Sequence, residues 1–107
     1  MDRHRLAEER SLAYHSVIAE RLDQEPELVA RARTRVGEWL ASRVPPPLYA
    51  VEWARILDGS KTEIARFLRD PSERGRELRQ STPFAGALSA QERWRIWRAV
   101  GERMGDL

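Results

Sequence analysis

The sequence predicts an all-α fold: an N-terminal antiparallel helical hairpin with a cluster of shorter C-terminal helices, in one helical domain over residues 1–107. Three observations carry this expectation. Apolar residues recur at spacings of three, four and seven, the repeat of a helix with one buried face, and no stretch alternates with the period of two that marks a half-buried strand. Polar residues followed three positions later by glutamate mark helix starts in the C-terminal half. Pro45-Pro46-Pro47 divides the chain, because successive prolines hold the backbone extended and bar helix until the last of them.

The elements follow in order. Asp2 is placed to cap a first helix running to about Leu22, with Leu6, Ala13 and Val17 and then Tyr14, Ile18 and Leu22 on one apolar face. Asp23-Gln24-Glu25-Pro26 breaks it. Pro26 suits the first turn of a second helix, where the N–H it lacks would have no partner. That helix sets Leu28, Val29, Ala32, Val36, Trp39 and Leu40 against a charged face of Glu27, Arg31, Arg33, Arg35 and Glu38. The triple proline is read as a corner inside the domain, since helical pattern resumes directly after it. Helices are expected near 47–58, 61–69, 71–80 and 90–103. Their start signals are Ser60 with Glu63, Asp70 with Glu73 and Ser89 with Glu92, each offering an oxygen to the backbone N–H groups that a helix start leaves free. The stops are Gly59, Asp70-Pro71, Pro83 and Gly105.

Composition removes several function classes. The chain has no cysteine, which excludes a disulfide scaffold, a thiolate metal site and a cysteine nucleophile and fits a reducing, cytoplasmic setting. The opening MDRHRLAEER is charged where a signal peptide is apolar, and no apolar run nears the ~20 residues of a membrane span, so no membrane association is expected. Formal net charge is only +2. Residues 1–60 carry nine basic against ten acidic side chains, and residues 61–107 ten against seven, so the basic excess is mild and C-terminal. A dedicated DNA-backbone binder shows a stronger imbalance. Lys61 is the one lysine; every other basic side chain is arginine. His4 and His15 stand about 16 Å apart along one helix, too far to share a metal ion. Glu8, Glu9, Glu20 and Glu52 show no pairing suited to acid–base chemistry, and the serines lack a nucleophile elbow. No glycine-rich phosphate loop is present. Neither a cofactor nor a metal site is expected, and the chain is read as not an enzyme.

The informative stretch is 78–100, LRQSTPFAGALSAQERWRIWRAV. Trp39 and Trp53 lie among aliphatic residues and are expected in the core. Trp94 and Trp97 are three apart, amid Arg93, Arg95 and Arg98; one is expected buried and the other exposed with Arg95 or Arg98 stacked on it. In the insert 80–88, Phe84 and Leu88 are expected to anchor a loop that turns at Gly86. Tryptophan and arginine dominate binding hot spots. The candidate partner-binding set is therefore Arg79, Phe84, Arg93, Trp94, Trp97 and Arg98. The alternative is a degenerate helix-turn-helix at 62–80, opening with Glu63-Ile64-Ala65, in which Arg66, Arg74, Arg76 and Arg79 would meet nucleic-acid phosphates. Its turn position holds Arg69 where glycine is usual, and the apolar position of its second helix holds Gly75.

Taken whole, from RLAEERSLAYH in the first helix to LRQSTPFAGALSAQERWRIWR near the end, the chain resembles small bacterial helical proteins, some of them antitoxin-like partners from toxin–antitoxin operons. The resemblance implies a regulator or inhibitor with a protein partner, a toxin among the candidates, and with nucleic acid as a second partner, since many antitoxins bind both. It brings no catalytic residue. Tryptophan and leucine faces on both long helices would also suit a homodimer.

Overall fold

The computed structural model describes residues 2–105. Six helices and no strand occur among them: α1 (Arg3–Arg21), α2 (Glu27–Ala41), α3 (Leu48–Leu57), α4 (Lys61–Leu68), α5 (Glu73–Arg79) and α6 (Ala90–Arg103). The protein is all-α. None of these helices is long and apolar enough to cross a membrane.

Local chemistry sets the boundaries. Asp2 accepts from the His4 N–H at 3.0 Å and starts α1. At α4, the Glu63 N–H donates to Ser60 Oγ at 3.1 Å while the Ser60 N–H donates to Glu63 Oε1 at 3.2 Å, a complete capping box. At α6, Ser89 accepts from the Glu92 N–H at 3.1 Å, but the Glu92 carboxylate turns away to Arg21 at 2.8 Å. At α5 the cap is Ser72, in place of the expected Asp70. Ser72 Oγ accepts from the Gly75 N–H at 3.1 Å, and Asp70 Oδ1 accepts from the Ser72 N–H at 2.8 Å. Asp70 shapes the turn that presents the cap, so α5 begins later than its sequence signal suggests.

The helix pairing differs from the expected N-terminal hairpin. α1 is central, with α4 and α6 packed along it and a shorter contact to α5. Its antiparallel partner is the last helix: Glu9 meets Arg103 at 3.8 Å, Arg10 donates to the Trp97 carbonyl at 3.2 Å, and Arg21 meets Glu92 at 2.8 Å. α2 packs on α3, also antiparallel. There Arg33 chelates the Leu57 carbonyl through Nε at 3.0 Å and Nη2 at 2.7 Å, and Trp39 meets Tyr49 edge-on at 5.3 Å. Each helix has one apolar stripe to bury. α2 spends its stripe on α3 across the proline corner, and α1 spends its own on α4 and α6. The proline corner thus lies inside a hairpin instead of following one.

One core joins these pairs. Trp53 is fully buried, donates its indole N–H to the Leu78 carbonyl at 3.0 Å, and meets the Phe67 and Phe84 rings edge-on at 5.6 and 6.1 Å. Ile18, Leu22, Val36, Leu57, Ile64 and Leu88 close around it. Trp39 is half-buried at the margin.

The insert between α5 and α6 belongs to this core. Pro83, Phe84 and Leu88 are buried, and Gly86 turns the chain with φ +83°. Two helices, α1 and α2, tie it down. Tyr14 donates to the Phe84 carbonyl at 2.7 Å, and Arg35 donates to the Ala85 carbonyl at 2.8 Å. His15, also buried, donates from Nδ1 to the Ser11 carbonyl at 2.7 Å and accepts at Nε2 from the Thr82 hydroxyl at 2.7 Å; Thr82 Oγ1 in turn accepts from the Phe84 N–H at 3.1 Å. Every donor in that chain meets an acceptor only if the ring is neutral. Burial, together with the nearby Arg79 charge, lowers the His15 pKa to about 4 against the opposing pull of the Ser11 carbonyl.

Candidate functional site

The sequence-predicted partner set is split by the fold. Phe84 is 2 % exposed and Arg79 is 3 % exposed, so neither presents a contact surface. Phe84 is an aromatic of the Trp53 cluster. Arg79 donates from Nη1 to the Asp70 carbonyl at 2.6 Å and holds the α4–α5 turn. Arg93, Trp94, Trp97 and Arg98 stand together on the outer face of α6, with Arg95 beside them.

α6 reaches this state because its inner stripe is narrow. Ile96, Val100 and Gly101 face the body of the protein, and a shallow trough lined by Leu12, Ala13, Val17, Ile96 and Ala99 runs between α1 and α6. Trp94 and Trp97 fall outside that stripe. They remain 54 % and 38 % exposed, so both tryptophans are outside, against the expectation of one in and one out. Their rings lie almost parallel, 10° apart in plane with centroids at 5.1 Å. The Arg10 guanidinium lies 3.8 Å from the Trp97 ring centroid while its Nε donates to the Trp97 carbonyl. Its Nη2 is sealed from solvent without a hydrogen-bond acceptor and relies on the indole face. Arg98 stands 5.8 Å from the Trp94 ring centroid and 3.5 Å from Glu102. Among the described residues, Arg93 and Arg95 have no carboxylate within ion-pair distance.

Arg10 is the contributor that sequence reasoning missed. No local signal marks it, since its role depends on α1 lying antiparallel to α6. The result is a stacked indole pair braced from beneath by Arg10 and flanked by Arg98, on a helix that also exposes Arg93 and Arg95. Such a surface can cover an apolar or aromatic side chain with acidic neighbours.

The arginines of the alternative, nucleic-acid set are dispersed. Arg74 is paired with Glu52 at 2.7 Å, Arg76 lies 3.7 Å from Glu8, and Arg79 is interior. Arg66 lies in an open trough of about 870 Å³ between the end of α1 and α4, whose cations Lys61, Arg66 and Arg69 are accompanied by Glu20, Asp23 and Asp70. That mixture of signs gives no one-signed field for a polyanion. Glu8, Glu9 and Glu52 each sit beside a different arginine, Arg76, Arg103 and Arg74.

No family model, curated protein or solved structure matches this chain.

Proposed function

We propose that this protein is a non-enzymatic interaction module, an antitoxin-like inhibitor or regulator, that holds an acidic protein partner on the outer face of α6. One observation carries the reading: an exposed Trp94–Trp97 stack with Arg98 beside it, on a helix already seated on α1 that also exposes Arg93 and Arg95. Two large indoles left in water are costly unless a second surface covers them. Arg93 and Arg95, with no carboxylate within ion-pair distance among the described residues, leave positive charge that complements an acidic surface and speeds encounter with it. In an inhibitor of this kind the indoles bury against an apolar patch, and an arginine enters a site that normally holds phosphate or is lined by acidic groups.

The test compares capture from lysate, with nuclease present, by the wild-type chain, by Trp94→Ala and by Leu48→Ser, which alters a separate exposed apolar residue that is 74 % accessible. A stoichiometric protein kept by wild type and Leu48→Ser but lost by Trp94→Ala supports the reading. A partner kept by all three, or nucleic acid in place of protein, counts against it. Sedimentation of the purified chain reports whether a second copy fills the face instead.

A further inference from the structure

We infer that a small recess between α1 and α5 binds a tetrahedral oxyanion, a phosphate free in solution or carried on a side chain. The recess encloses about 90 Å³ and is walled by His4, Glu8 and Ser11 of α1 and by Arg76, Arg79 and Gln80 at α5. No residue of α6 contributes, so the inference is independent of the Trp94–Trp97 face. The size admits a small anion and excludes a nucleotide, which needs several hundred Å³.

Arg79 is the reason to expect an anion. It is 3 % exposed, yet no carboxylate lies within ion-pair distance of it among the described residues. Its Nε is sealed from water without an acceptor. The surrounding charges are already committed. Asp70, the strongest opposing charge, has its pKa held low by the Ser72 N–H, to which it is hydrogen-bonded at 2.8 Å. Glu8 lies 3.7 Å from Arg76. In the lining of the recess itself, Arg76 and Arg79 face one carboxylate, Glu8. Arg79 is thus balanced only at a distance, by Asp70 and Glu8, and one of its N–H groups is buried without an acceptor; that cost is relieved when an anion occupies the neighbouring space.

The arginine is also held in place. Gly75 has no side chain where a Cβ would collide with the Asp70 carbonyl oxygen and approach Arg79 Nη1 to 3.0 Å. Nη1 is thereby fixed on Asp70, and the remaining guanidinium edge does not swing away. Around it stand donors without strong partners. The Ser11 hydroxyl is only 3.5 Å from His15 Nδ1, whose proton goes to the Ser11 carbonyl at 2.7 Å. Arg76 is exposed and reaches no closer than 3.7 Å to Glu8, so it can close over a phosphate with charge-assisted hydrogen bonds.

The experiment is a titration of the ¹⁵N-labelled full chain with inorganic phosphate at constant ionic strength, with chloride and acetate as controls. The expected result is saturable shifts of the Ser11, Arg79 and Gln80 amides with phosphate alone, weakened at least about tenfold in Arg76→Gln, whose side chain is exposed. A short phosphoserine peptide that saturates the same amides at lower concentration than phosphate assigns the source to a modified side chain; weaker binding by the peptide assigns it to free phosphate. Shifts that are absent, linear in phosphate, reproduced by acetate or unchanged in Arg76→Gln overturn the inference. The wild-type titration decides by itself if the variant does not fold.

Discussion

The insert at 80–88 and helix α6 are neighbours in sequence and share one candidate contact region, yet the fold turns them opposite ways. The insert is rich in turn formers and looks like a loop, but Pro83, Phe84 and Leu88 are interior and its carbonyls are held by Tyr14 and Arg35. α6 looks like an ordinary amphipathic helix, but its two largest side chains are outside. Secondary structure therefore does not decide which of them is the surface. What decides is whether an apolar group has a vacant place in the core. The Trp53–Phe67 pair leaves an edge that Phe84 fills. α1 offers α6 a stripe wide enough for Ile96 and Val100, and the indoles are left over.

The contrast breaks most visibly at Phe84. Phe84→Ala removes an aromatic from the Trp53 cluster and should cost about 3–5 kcal/mol, read as a fall in the urea midpoint with little change in slope. A loss below about 1 kcal/mol would show that the insert is a peripheral loop after all.

The next effect is pH dependence through His15. The unfolded ring titrates near its ordinary value of 6.5 and the folded one near 4. The stabilisation from the neutral ring is complete above pH 6.5, declines as pH falls between these values, and is gone below 4. The total is about 3 kcal/mol. Unfolding at pH 5 should take up close to one proton, measurable as the slope of stability with pH, and His15→Gln should flatten that slope. The carboxylates Glu63 and Asp70, at the starts of α4 and α5, also have lowered pKa values, but they begin to lose their contribution only as pH falls through their ordinary values of 4.5 and 3.8, beneath most of the range that His15 controls. A slope between pH 6 and 4.5 that survives His15→Gln would place the titrating group elsewhere.

Tyr14→Phe isolates one strap of the insert. It deletes the hydroxyl that donates to the Phe84 carbonyl and should cost about 1 kcal/mol, seen in the same midpoint assay. Faster hydrogen exchange should be confined to 82–87, and exchange quickened equally along α6 would show that the two regions are mechanically one.

Much of this fold is legible locally. Five of the six helix starts lie close to the cap or proline that marks them, since a cap acts over three residues and needs nothing distant. α5 shifts because Asp70 and Ser72 are both competent caps, and the choice depends on Asp70 also accepting from the Ser72 N–H. Helix pairing is not legible in the same way. Nothing near Arg10 announces that it will lie on Trp97, eighty-seven positions away. Burial of single residues divides similarly. Trp53 sits among aliphatics and is read correctly. Arg79 looks like its neighbours Arg74 and Arg76, and only the close approach of Gly75 to Asp70 draws it inside. The candidate site is thus half legible: the α6 residues are found by composition, and their brace is not.

The two tryptophans give the finest test. Trp97 carries Arg10 on its ring and backbone, so Trp97→Ala removes packing, a cation–π contact and the cover over a sealed guanidinium, and should cost about 1–2 kcal/mol. Trp94 is more exposed, at 54 %, stacks on Trp97 and has the looser Arg98 over its ring. Trp94→Ala should change stability by no more than about 0.5 kcal/mol. If α6 is a contact face, the ranking reverses for binding. Trp94→Ala then weakens capture of the partner at least as much as Trp97→Ala, while thermal melts show it near wild type. A variant that leaves the fold alone and removes the partner separates surface from core more cleanly than any core deletion. Equal stability losses in both variants, with capture falling only in proportion to unfolding, would show that the indole stack braces α1 against α6 and nothing more.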